Sequence, residues 1–121
     1  MQEILTRINR VPGVRGTMIA AADGFVIASD LSGGEDPSVL GAVASGILAR
    51  SVGALQRLQL GDLRRFVING SAGNLALLPV GGAILLTLLR KDANMGMVLV
   101  ELKSAAAELA EKLGPAKEKT N

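Results

Sequence analysis

Between Leu75 and Leu89 the chain carries fifteen residues and no charge, while the segments near its two ends repeat apolar residues at helical spacing. As a helix the uncharged run would cover roughly 22 Å, short of the ~30 Å hydrocarbon core of a bilayer. Pro79, Gly81 and Gly82 sit in its middle, where a helix would lose a backbone donor and gain chain freedom. A Gly-Gly pair between two apolar runs is a hairpin signal. The run therefore reads as strands 75–80 and 83–90 joined by a two-residue turn. That turn sets Val80 opposite Ala83, Leu78 opposite Leu85, Leu77 opposite Leu86, Ala76 opposite Thr87 and Leu75 opposite Leu88. Side chains alternate faces along a strand, so both faces of the hairpin are apolar. One-sided antiparallel sheets alternate with polar residues, and the hairpin is therefore expected inside a sheet covered on both sides.

The remaining pattern supplies those layers. Ile4, Leu5, Ile8 and Val11 predict a helix over 2–10, stopped by Pro12-Gly13. Asp23-Gly24 is a second hairpin signal between strands at about 14–22 and 25–29. The loop "DLSGGED" carries Asp30, Glu35 and Asp36, but lacks the alternating oxygen ligands of a calcium loop. Asp36 reads instead as an N-cap and Pro37 as the first helical residue. A helix over 37–59 follows, then a strand over 63–69 leading into the apolar hairpin. A last helix over 95–113 opens at Asn94. Its Met95, Val98, Leu99, Leu102, Ala106, Leu109 and Leu113 share one face, and Gly114-Pro115 ends it. The order α-β-β-α-β-β-β-α predicts an α+β fold: a five-stranded antiparallel sheet with helices on both faces. The domain is expected over 1–114, with 115–121 as a flexible C-terminal tail.

The helix over 37–59 has two faces. Leu40, Ala44, Ile47, Leu48, Leu55 and Leu58 gather on one side as an ordinary core face. Roughly opposite runs a stripe of Ala42, Gly46, Ala49 and Gly53, flanked by Arg50 and Arg57. Each glycine inside a helix costs about 0.5–1 kcal/mol relative to alanine. Small stripes permit close approach of another backbone. Two readings follow from the residues: the helix meets its own copy in a two-fold dimer, or small residues are merely tolerated on an exposed face.

Composition narrows the chemistry. Of the 121 residues 49% are hydrophobic and 20% charged, the balance of a folded rather than a disordered chain. There is no cysteine, hence no disulfide framework and no thiolate metal site, and no histidine, the commonest general base. Neither a Walker A pattern nor a G-x-S-x-G elbow occurs. No catalytic, metal or cofactor-binding residues are predicted. Net charge is only +2, the basic residues are scattered and two aromatics are present, which argues against nucleic acid. The first ten residues hold no signal-peptide core, so a cytoplasmic protein without membrane insertion is expected.

The element order, "VRGTMIAAADGFVIAS" and "DANMGMVLVELKSAAAELAEKL" together resemble the Roadblock (dynein light chain) family, whose fold is profilin-like, and its MglB-like bacterial and archaeal members above all. The first hairpin turn of that family matches Asp23, Gly24, Phe25–Ala28 and Ser29. The opening of its last helix matches Asn94, Met95, Gly96, Met97 and Val98. The resemblance covers about residues 2–113; it lacks the extended tail of longer bacterial polarity regulators. It implies a homodimer whose long helices pair and whose edge strands, here about 62–69, join the two sheets. It further implies a platform that binds a small Ras-like GTPase. Interface residues would be Ala42, Gly46, Ala49, Arg50, Gly53, Arg57, Arg64 and Arg65. Arg50, Arg57, Arg64 and Arg65 are also candidates for an arginine finger, although ordering a GTPase's own switch loops needs only shape and contacts. An alternative function is a nucleotide-indifferent adaptor that pairs with another Roadblock subunit or a signalling kinase. A small-ligand sensor is less favoured, since few convergent polar groups are available.

Overall fold

The computed structural model of the protein describes residues 1–113. Its elements are α1 (Gln2–Asn9), β1 (Val14–Ala21), β2 (Val26–Leu31), α2 (Pro37–Arg57), β3 (Phe66–Asn69), β4 (Asn74–Val80), β5 (Ala83–Leu89) and α3 (Met95–Leu113). The five strands form one antiparallel sheet in the order β2-β1-β5-β4-β3. The expected stop at Gly114-Pro115 and the tail lie outside the described residues.

The apolar hairpin is β4–β5, in the interior of the sheet, and its five expected cross-strand pairs are all present. Its two faces feed two separate cores. Leu78, Val80, Ala83, Leu85 and Leu89 pack with Ile4, Leu5 and Ile8 of α1 and with Val98, Leu102, Ala105 and Leu109 of α3. Leu77, Ile84 and Leu86 pack on the other side with Met18, Ala20 and Ala44 of α2. Alternation on a doubly apolar hairpin is what divides them.

The layer of α1 and α3 is closed by polar ties. Arg7 Nε donates to Glu101 Oε2 at 3.1 Å and Arg7 Nη1 to Glu108 Oε2 at 2.9 Å, linking the two helices. The hydrogen bond to Glu108 is the main cause that raises the Arg7 pKa above its ordinary value. Asn9 joins α1 to the sheet: its Nδ2 donates to the Asp30 carbonyl at 2.9 Å, and the buried Thr17 hydroxyl donates to its Oδ1 at 2.6 Å.

Several boundaries move from their sequence-based positions. β3 starts at Phe66, and residues 62–65 form no strand; Arg64 and Arg65 therefore precede the sheet edge rather than lying on it. α2 ends at Arg57, where Gln59 adopts φ 59°. The Leu60 amide donates to the Leu55 carbonyl and the Gln59 amide to the Gln56 carbonyl. This is the Schellman pattern, with glutamine in the left-handed position where glycine is usual. β2 runs on to Leu31 and is irregular: Ile19 pairs with Ala28 but Ala20 with Val26, so Ile27 is the extra residue of a bulge.

Candidate surface on the second helix and the third strand

α2 begins as the sequence requires. Asp36 is the N-cap and Pro37 opens the helix. The Ser38 hydroxyl and amide both donate to Asp36 Oδ1, at 2.8 and 3.0 Å. These bonds hold the Asp36 carboxyl below the ordinary carboxylate range, the hydroxyl contributing most.

The helix is then pinned to the sheet at one place. A Cβ on Gly41 would meet the Gly24 carbonyl oxygen, and a Cβ on Gly24 would lie 2.9 Å from the Gly41 oxygen. The bare backbones are what let α2 sit on the β1–β2 turn, where Gly24 has φ 96°. Ser45 Oγ completes the joint by donating to the Ala22 carbonyl at 2.8 Å. Leu40, Ile47 and Leu48 lean partly buried on the core beneath.

Beyond that joint α2 is scarcely covered. Only Gly41 and Ala44 of its 21 residues are buried. Its outward face holds Val39 at 56% and Val43 at 44% exposure, with Ala42, Gly46, Ala49, Arg50 and Arg57 exposed and Gly53 half-buried. Among the described residues, added Cβ atoms on Gly46 or Gly53 would touch nothing within 4 Å. By length and composition α2 could cross a membrane, with mean hydropathy 1.5 over its most apolar stretch. A helix this apolar, laid on a sheet yet open along most of its length, has surface left for another molecule.

At its C-terminal end α2 parts from the sheet. An open cleft of about 660 Å³ separates it from the segment entering β3, lined by Ser51, Leu55, Asp62, Arg64, Arg65 and Phe66 among others. Leu58 and Leu60 stand 67% and 65% exposed. β3 is an outer strand of the sheet and pairs with β4 in unbroken register; Ile68 on it is 51% exposed.

The structure thus gathers Ala42, Gly46, Ala49, Arg50, Gly53 and Arg57 on one helix face and puts Arg64 and Arg65 apart from them, along the cleft. Sequence reasoning missed Val39 and Val43, although their i, i+4 spacing places them on the face of the small stripe. It also assigned Leu58 to the core, where the structure leaves it at the surface: the helix lifts off the sheet before reaching that residue. Among the described residues no group of three or more histidine, cysteine or carboxylate side chains could hold a metal ion.

Residues 1–90 match the Roadblock/LC7 domain. The chain belongs to the Roadblock/LC7 family. An uncharacterised protein of Methanocaldococcus jannaschii is 31% identical to this Roadblock chain over 109 residues, spanning 90% of it and 92% of the relative. Among solved structures, a Roadblock/LC7 domain from Streptomyces avermitilis superposes with a TM-score of 0.87 at 21% identity, covering 93% of this chain and 97% of that one. Myxococcus xanthus MglB superposes with a TM-score of 0.85 at 18% identity, covering 93% and 96%. At these identities the two structures speak for the fold: the Roadblock sheet and its three helices.

Proposed function

We propose that this Roadblock protein is a binding module without chemistry of its own. It pairs with a second copy through the outward face of α2 and the edge of β3, and the paired helices form a platform for a small Ras-like GTPase. One observation carries the reading: α2 is apolar, 21 residues long, and has two buried residues in the single chain. A two-fold partner is the simplest molecule to cover it, because a closed dimer buries the same patch twice. The regular, unbulged β3 edge supports a joint between sheets, since an unprotected edge strand is a template for pairing.

Membership of the family and likeness to MglB support the GTPase reading, which does not draw on a pocket. The exposed Arg50, Arg57, Arg64 and Arg65 are available to a partner's anionic surface. To regulate a GTPase, the platform must bind one nucleotide state more tightly than the other. The test is co-elution with small GTPases of the same organism, loaded with GDP or a non-hydrolysable GTP analogue. Retention of one state over the other is the expected result. Equal retention of both would make the protein a nucleotide-indifferent adaptor, and retention of neither would remove the GTPase from the account.

A further inference from the structure

We infer that the end of the sheet opposite the β4–β5 turn carries a docking site for an acidic peptide segment of a partner protein, built from Arg15, Arg90, Lys91 and the β3–β4 turn. The site depends on neither pairing nor a GTPase.

Arg15, Arg90 and Lys91 line an open depression of about 590 Å³ together with Ser71, Ala72 and Asp92, and all six residues are exposed. Three cations thus share the depression with one carboxylate. Arg15 reaches it through an irregularity of β1. Val14 pairs with Leu89 and Gly16 with Leu88, so Arg15 is an extra residue in the strand, a device that re-aims a side chain. Glu35 steadies the guanidinium by accepting from Nη2, and its second oxygen accepts from the Gly33 amide. Arg15 Nη1 lies along the β3–β4 turn, 3.8 Å from where a Cβ on Gly73 would stand. That Cβ would also come within 2.9 Å of the Leu89 carbonyl oxygen, so the turn passes close to β5 only as bare backbone.

The frame beneath these groups is rigid. Asn69 Nδ2 donates to Asn74 Oδ1 at 3.0 Å, and Nδ2 of the buried Asn74 donates to the Arg90 carbonyl at 3.2 Å. The Arg90 amide donates to the Gly13 carbonyl at 2.7 Å, and the Ala93 amide closes a turn onto the Arg90 carbonyl at 3.1 Å. The β3–β4 turn and the segment that carries Arg90 and Lys91 are therefore fixed to each other before any ligand arrives, which lowers the ordering cost of binding.

The lining selects the ligand. Guanidinium forks take carboxylates in bidentate fashion, Lys91 adds a point charge, and the Ser71 hydroxyl adds a donor. Among the described residues no aromatic or large aliphatic side chain lines the depression. The chain's two aromatics lie elsewhere, Phe25 at the β1–β2 turn and Phe66 in the cleft beside α2. Nothing is present to stack a base or to enter a bilayer. An open depression with cations from separate parts of the chain suits several carboxylates along a peptide better than one oxyanion.

The test is titration of the full chain with hexaglutamate at low salt, followed by backbone amide NMR. The largest shifts are expected at Ser71, Ala72, Lys91 and Asp92, and binding should weaken as salt is added. Arg90→Gln combined with Lys91→Gln is expected to weaken binding roughly three- to tenfold. Lys103→Gln combined with Lys112→Gln removes the same charge from exposed positions of α3 and should change it by less than about twofold. Asp92→Asn should tighten binding, a result that loss of fold cannot imitate. Equal weakening by the two double variants, or shifts scattered over the surface, would overturn the site. The same shifts with inorganic phosphate at the same concentration would overturn the peptide in favour of a single-oxyanion site.

Discussion

The two faces of the sheet are built to different degrees of completion. On one, α1 and α3 bury Ile4, Leu5, Ile8, Val98, Leu102, Ala105 and Leu109 against the sheet, and Arg7 ties the helices together from outside. On the other, α2 is the longest helix among the described residues yet buries only Gly41 and Ala44. The first face is a finished core. The second is held by the glycine-to-glycine joint, the Ser45 hydrogen bond, buried Ala44 and the partly buried Leu40, Ile47 and Leu48, and carries valines and open glycines outward.

The contrast can be broken most sharply on the finished side. Leu102→Ala is expected to cost about 2–5 kcal/mol by chemical denaturation, the range for emptying a close-packed site. Leu48→Ala, on half-buried α2, should cost clearly less; the reverse order would mean that the two faces are not unequal. Within α2 the glycines offer a finer contrast. Gly41→Ala forces a methyl onto the Gly24 carbonyl and should destabilise by about 1–3 kcal/mol. Gly46→Ala meets open space and, at concentrations too low for pairing, should gain up to about 0.5–1 kcal/mol of helix stability.

Smaller effects concern the polar ties. Arg7→Met removes two part-exposed ion pairs, each worth about 0–1 kcal/mol, so the loss should be small and should shrink as salt is added. Asp36 adds a pH signature. Its folded pKa is depressed, so its contribution is complete above the ordinary carboxylate range and is lost as pH falls through the lower folded value. Asp36→Asn keeps a capping side chain, and its acid limb of thermal stability should be flatter than that of the unmodified protein.

Much of this architecture was readable before any coordinates. A two-residue Gly-Gly turn set the β4–β5 register, and apolar residues on both faces of that hairpin implied two covering layers. Asp36-Pro37 located the start of α2, and Asn94 the start of α3, where its Oδ1 accepts from the Met97 amide. Ends were harder. Nothing in "LQRLQLGDLRR" announces that Gln59 takes the conformation usually left to glycine, or that the strand waits until Phe66. Periodicity put Leu58 in the core because a helical wheel assumes that the helix stays against its sheet; α2 does not. The stripe of Ala42, Gly46, Ala49 and Gly53 was legible as a pattern. What it could not separate was Gly41, whose bareness serves the β1–β2 turn, from Gly46 and Gly53, whose bareness serves no neighbour among the described residues.

The most direct test of a surface completed by a second copy is the mass in solution of the protein and of Gly46→Leu. Multi-angle light scattering should give the unmodified protein twice its 12.4 kDa chain mass. Gly46→Leu, whose side chain has room in the single chain but none in a close crossing, should be a folded monomer or an aggregate. A mass of one chain for the unmodified protein at high concentration, or an undisturbed dimer in Gly46→Leu, would contradict the account.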